Sequence, residues 1–236
     1  MMRVLQKKSE IAEARRTLRS RGLSFTNSFF GAVKRRLGIS CGLVIGDERK
    51  SWDLLLTVDY IGRHLGKSEP ILDIGCYGSE IVPALHALGY ANIAGMDLNP
   101  NVRGMPHAEA IRYEIGDFTR TGFPDASFQA VTAISVIEHG LDSTRLLEEM
   151  SRILRPGGIF IASFDYWPEK IPTDGVRLFG LDWLILSADE TRAFIDQADN
   201  VGMTPVRDLQ FDAGERTINF EGRSYTFAWL VLQKAA

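Results

Sequence analysis

From Pro70 onward, short apolar runs alternate with segments of helical periodicity, and that alternation leaves few folds open. The candidate strands are 71–74, 93–98, 111–115, 130–136 and 159–164; helical patterns fall at 79–88, 143–154 and 188–201. A strand that passes through a helix into the next strand must cross back over the sheet. The strands then run parallel and helices cover both faces. Two later runs, 204–211 and 225–233, have no helix between them and are expected as an antiparallel hairpin on the sheet edge.

The 236 residues suit one large domain with an appendage. Residues 1–38 hold ten Lys/Arg and two acids, a net of +8, which leaves −11 on the rest of a chain whose net charge is −3. Here Val4, Ile11 and Leu18 recur every seven residues, predicting a basic amphipathic helix that stops near Gly22. Phe25, Phe29, Phe30, Val33 and Leu37 predict a second one. Residues 38–46 read as a linker, so the expected division is a basic helical extension over 1–46 and a main domain over 47–236. A third helix is expected over 51–65, with Trp52, Thr57 and Tyr60 as candidate ligand contacts. Cys41 and Cys76 form no CxxC pair, which argues against a disulfide framework or zinc cluster and fits a reducing cytosol.

In a doubly wound sheet, ligands bind beyond the carboxyl ends of the strands, where strand order reverses. The first strand there ends Ile71-Leu72-Asp73-Ile74-Gly75, followed by Cys76-Tyr77-Gly78-Ser79. Gly75 and Gly78 allow a tight turn and a close backbone approach to a ligand. The second strand ends at Asp97, placed to accept hydrogen bonds from ribose hydroxyls. The third ends Ile115-Gly116-Asp117-Phe118: an acceptor for an adenine amine beside an apolar wall. Each acid alone has the plainer reading of a turn or helix cap; packing alone gives no reason for acids on successive strand tips. A dinucleotide enzyme is the nearest rival, but its GxGxxG is absent.

These segments resemble, in order and spacing over 72–163, the motifs of class I S-adenosylmethionine-dependent methyltransferases of the type 11 group: LDIGCYGS, GMDLNP, IGDF, FPDASFQAVTAISVIEH and EEMSRILRPGGIFIAS. The resemblance implies a Rossmann-like α/β fold with a seven-stranded, mostly parallel sheet, a C-terminal antiparallel hairpin and a helical N-terminal extension. It implies S-adenosyl-L-methionine as cofactor, held by Asp73, Gly75, Tyr77, Gly78, Asp97, Leu98, Asp117, Phe118 and Ser135. Asp73 and Gly75 would lie under its methionine part, and Ser135 near its amino-acid end. The second and third glycines of the usual DxGxGxG are Tyr77 and Ser79 here, so Gly78 is expected to take the strained turn.

Methyl transfer from a sulfonium is an in-line displacement, helped chiefly by alignment. An acceptor bearing a proton also needs a base. His139, after the fourth strand, and Asp165, after the fifth, are the candidate catalytic residues. The aromatic-rich segment 165–187 is expected as an acceptor-binding lid. The expected reaction is methylation of a hydroxyl on a small molecule or glycan. Alternatives are N- or C-methylation of a metabolite or lipid-linked acceptor, or a non-catalytic S-adenosylmethionine-binding module. No metal site and no nucleic-acid partner are expected. The basic extension suits peripheral membrane contact or a homodimer contact, and the expected location is cytoplasmic, with contact at the membrane surface as an option.

Overall fold

A computed structural model describes residues 1–26, 43–140, 142–178 and 180–236. Almost all of the expected second helix, and most of the linker, lie outside the described residues. In chain order the elements are β1 (Met2–Val4), α1 (Lys8–Ser20), α2 (Ser51–His64), β2 (Ile71–Ile74), α3 (Ile81–Ala87), β3 (Ile93–Asp97), β4 (Arg112–Ile115), β5 (Phe128–Ile134), α4 (Ser143–Ile153) and β6 (Leu154–Tyr166). There follow β7 (Arg177–Leu178), β8 (Leu181–Asp182), α5 (Ala188–Asn200), β9 (Met203–Pro205), β10 (Ile218–Phe220) and β11 (Arg223–Lys234).

Among the described residues the main sheet has nine strands, with an unbroken path β1-β11-β6-β5-β2-β3-β4. The β4-β3-β2-β5-β6 run is parallel, and β11 lies antiparallel on β6. Order reverses between β2 and β5, where the chain leaves in opposite directions and opens a crevice at the strand tips. The mixed, mostly parallel sheet with a C-terminal antiparallel strand agrees with expectation. The detail of its edge differs: β9 has only three residues, two of them within the expected 204–211 strand, and the hairpin partner of β11 is β10, through a turn at Glu221–Gly222.

Alternate residues of each buried strand feed opposite faces, as the period of two requires. Ile159 and Ile161 pack with α1, α2 and α3; Phe160, Ala162 and Phe164 pack with α4 and α5. Helix starts follow local chemistry. Asp142 Oδ1 accepts from the Arg145 amide at 3.1 Å, and Ser187 and Glu190 form a reciprocal capping box on α5.

The N-terminus departs from the heptad reading. Met2 and Val4 are buried and Arg3 is exposed, the alternation of a strand; β1 pairs with β11 from Met2↔Leu230 to Val4↔Ala228. The helix begins only at Lys8. A three-residue strand exists only because β11 offers an open edge, a partner more than two hundred residues away. Among the described residues, no helix is long and apolar enough to cross a membrane.

Candidate active site

A cavity of about 820 Å³ opens at the switch point, lined from β2, β3, β5, β6 and β11 and by the segment 46–50. Its first half is a nucleoside-sized cradle. Gly75 has φ +66°, and a Cβ there would stand 2.6 Å from Val136 Cγ2. Gly78 takes the strained turn at φ +77°, while Tyr77 keeps an ordinary φ, as the altered motif requires. Asp97 Oδ2 accepts from the Tyr77 amide at 2.9 Å and its Oδ1 from the Asn99 amide at 2.8 Å. These bonds fix the carboxylate and leave its remaining lone pairs facing the cavity. Leu98, Phe118 and Ser135 also line the space. Ser135 has φ +57°, a strained backbone for a residue with a Cβ, at the tip of β5.

Two expected residues stand elsewhere. Asp73 is buried beneath the cradle, its Oδ1 accepting from Thr132 Oγ1 at 2.6 Å. Asp117 is exposed and outside the lining, and its Oδ1 accepts from the Thr119 amide at 2.8 Å and the Thr119 hydroxyl at 2.7 Å. It caps its own turn, the plainer reading of a tip acid.

The segment over the cradle is held by a buried ion pair. Arg15 of α1 and Glu80, at the start of α3, are about equally buried, at 4% and 3% side-chain exposure. The guanidinium meets both carboxylate oxygens at 2.9 and 2.8 Å and also donates to Ser51 Oγ, Ser24 Oγ and the Asp47 carbonyl. Glu80 accepts further from the Phe25 amide at 2.7 Å. The Gly46 amide donates to the Gly78 carbonyl at 2.8 Å. Thus α1, the glycine turn and the covering segment are tied at one point.

The second half of the cavity gathers charge against an aromatic wall. His139 and Asp165 both line it. Asp165 Oδ2 accepts from Trp183 Nε1 at 2.8 Å, and its Oδ1 lies 3.7 Å from Lys50 Nζ. That ammonium also sits 3.5 Å over the Phe227 ring. Burial holds His139 below its ordinary pKa, against the opposing pull of Asp165, so the imidazole is neutral at pH 7 and able to accept a proton. Burial and the neighbouring Asp165 push the Tyr225 phenol up, so it stays protonated.

Sequence reasoning missed three contributors. Glu138 lines the cavity at 2% exposure. Arg49 and Lys50 enter from the turn before α2. Phe220, Tyr225 and Phe227 form the wall from the C-terminal hairpin. The expected lid contributes Leu178 and Leu181 of β7 and β8; its Tyr166 and Trp183 are buried in the core, and Phe179 lies outside the described residues. Trp52, Thr57 and Tyr60 of α2 also pack in the core, and Thr57 Oγ1 accepts from Trp229 Nε1 at 2.9 Å. From α2, Leu54 reaches the cavity instead. No group of three or more His, Cys, Asp or Glu is arranged to hold a metal among the described residues.

Three buried carboxyls around the site are pushed up: Asp53 to about 6, Asp73 to about 7 and Glu138 to about 8. Burial is the main cause in each; Asp165 adds to it at Glu138, and the nearby Lys50 opposes it at Asp53 and Glu138. Each is neutral in the fold across a range where the unfolded chain is ionised. Unfolding then releases protons, so stability falls as pH rises from the ordinary carboxylate range through these values. The partly buried Met1 amine, lowered to about 5, and His139 act in the opposite sense over this range. The melting temperature of the ligand-free chain relative to its Glu138→Gln variant should therefore decline between pH 5 and pH 8, and a flat difference would show Glu138 ionised in the fold.

The comparisons agree with this geometry. A family model described as "Methyltransferase domain" matches residues 72–162. The chain is 32% identical over 111 residues to sterol 24-C-methyltransferase erg6 of Aspergillus fumigatus, covering 43% of this chain and 29% of that one. It is 27% identical over 120 residues to a ubiquinone biosynthesis O-methyltransferase of Xanthomonas oryzae pv. oryzae, covering 47% and 50%. The chain thus spans half or less of the length of these curated relatives. Among solved structures, an S-adenosylmethionine-dependent methyltransferase from Mesorhizobium loti superposes with a TM-score of 0.56 at 16% identity, covering 75% of this chain and 96% of that one. Residues 72–162 thus match a methyltransferase-domain family model, and the chain has the fold seen in solved S-adenosylmethionine-dependent methyltransferases.

Proposed function

We propose that the chain binds S-adenosyl-L-methionine in the cradle at Gly75, Tyr77, Gly78 and Asp97, and methylates a hydroxyl of a small apolar acceptor in the adjoining half of the cavity. The single observation that carries this reading is the continuity of the two halves. A glycine-floored cradle with an amide-fixed carboxylate opens directly onto His139, Asp165 and an aromatic wall. When bound there, the cofactor supplies an electrophilic methyl on a sulfonium. Asp97 would hold the ribose, the backbone at Gly75 and Gly78 would lie against the methionine end, and Phe118 would flank the adenine. Neutral His139 and Asp165, the latter fixed by Trp183 and Lys50, would orient the acceptor beside the methyl.

The apolar lining favours a ring-bearing metabolite over a saccharide, whose hydroxyls would need more polar partners. By their names, one curated relative is a sterol 24-C-methyltransferase and the other a ubiquinone biosynthesis O-methyltransferase. Carbon methylation is the second reading, favoured by aromatic rings facing carboxyls. The test begins with S-adenosylhomocysteine, which should raise the melting temperature as its concentration rises. Incubation with methyl-labelled S-adenosylmethionine and hydroxylated aromatic compounds should then move label onto oxygen. No thermal shift would remove the cofactor reading, and label on carbon alone would decide for the second one.

A further inference from the structure

Resting on that reading of the site, we propose that Glu138 is a further catalytic residue: it takes the hydrogen bond and then the proton of the acceptor's hydroxyl, which is carried on a flat apolar ring. Glu138 is almost fully buried yet lines the cavity; Ser135 and its own backbone amide approach the carboxyl, while its Oε2 has no hydrogen-bond partner among the described residues. A buried carboxyl oxygen without a partner is costly and calls for a ligand to complete it. Asp165, by contrast, already accepts from Trp183 and faces Lys50.

The carboxyl is rigidly presented. Its turn leaves β5 through the strained Ser135 and ends at Gly140, where a Cβ would stand 2.8 Å from the Asp182 carbonyl oxygen. The Leu184 amide donates to the Glu138 carbonyl at 2.7 Å. Charged and titratable groups approach from every side: Asp165 on β6, Lys50 and Arg49 before α2, Tyr225 on β11 and His139 on the same turn. Around them Ile134, Leu178, Leu181, Ile218, Phe220 and Phe227 offer apolar surface for a ring. Burial and Asp165 raise this carboxyl to about 8, so it is neutral at pH 7 and a far stronger base than an ordinary carboxylate once ionised above that pH.

In the step itself, the acceptor oxygen forms a bond to the methyl carbon as the carbon–sulfur bond breaks. That bond's electron pair goes to sulfur, leaving a neutral thioether, and the hydroxyl proton passes to the Glu138 carboxylate. Solvent later takes that proton.

The test needs no turnover. The chain is first titrated with S-adenosylhomocysteine, which reports on the cofactor reading separately. At a pH just above 8, where the Glu138 carboxyl is ionised, the loaded chain is then titrated with 2-naphthol and with 2-methylnaphthalene, in which a methyl replaces the hydroxyl. We expect 2-naphthol to bind about ten-fold more tightly, the worth of one hydrogen bond to a charged group. In Glu138→Leu that preference should shrink to near unity, with S-adenosylhomocysteine affinity kept as the sign of an intact fold; Glu138→Gln, nearly isosteric, repeats the test should the leucine variant fail to fold, and there the preference should fall. Equal binding of the two probes, or none, to the loaded chain overturns the proposal. So does a preference that survives in both Glu138 variants but disappears in His139→Ala.

Discussion

Arg15→Ala should destabilise the chain by about 3–5 kcal/mol, the usual loss when one partner of a buried ion pair is removed. The reason is the state of the group left behind. Glu80 is 3% exposed at its side chain and would keep only the Phe25 amide as a donor among its hydrogen bonds described above. Ser24, Ser51 and the Asp47 carbonyl would lose their shared donor at the same time. The loss should show as a lower urea midpoint with an unchanged slope. Replacing both members, as Arg15→Met with Glu80→Leu, should recover much of it, because no charge then stays buried. A single-variant loss of only about 1 kcal/mol would place the pair in the class of exposed ion pairs and overturn the argument. The same change should weaken S-adenosylhomocysteine binding, since Arg15 holds the Asp47 carbonyl and Glu80 lies against Gly46, both at the cavity wall.

Asp97→Ala should lower affinity for S-adenosylhomocysteine by about a hundred-fold or more. Two bonds from ribose hydroxyls to a carboxylate are each worth about 1.5–3 kcal/mol, and about 1.4 kcal/mol is a factor of ten. The truncation also frees the Tyr77 and Asn99 amides, which now anchor the glycine turn to the tip of β3. Asp97→Asn, which keeps an oxygen for one amide, should fall between the two. Calorimetry reads both variants directly. An unchanged constant for Asp97→Ala would move the ribose away from β3 and with it the whole orientation of the cofactor.

Much of this was legible in the residues alone. Alternating strand and helix periods set the doubly wound sheet, and the strand tips where its cavity opens, because those patterns are local and repeat every two or 3.6 residues. Gly75, Gly78 and Asp97 were readable for the same reason: a tight turn and a fixed acid are properties of a few neighbouring residues. Asp117 lies outside the cavity lining and caps its own turn, and in sequence such a tip acid looks the same as one that faces a ligand.

What only the tertiary structure decided depends on partners far apart in the chain. Met2–Val4 is a strand because β11 leaves an edge open, although the spacing of Val4, Ile11 and Leu18 reads as helix. Arg15 seemed one cation among many on a basic arm, yet it is buried against Glu80, sixty-five residues away. The wall of Phe220, Tyr225 and Phe227, and the isolation of Glu138 beside Asp165 and Lys50, arise where β5, β6 and β11 converge. Local periodicity carries no record of such meetings. Burial and charge at a site are set by what the fold brings together, and so the half of the cavity around His139, Glu138 and Asp165 was fixed by packing, while the glycine turn and the fixed acid at Asp97 were already written in the strand ends.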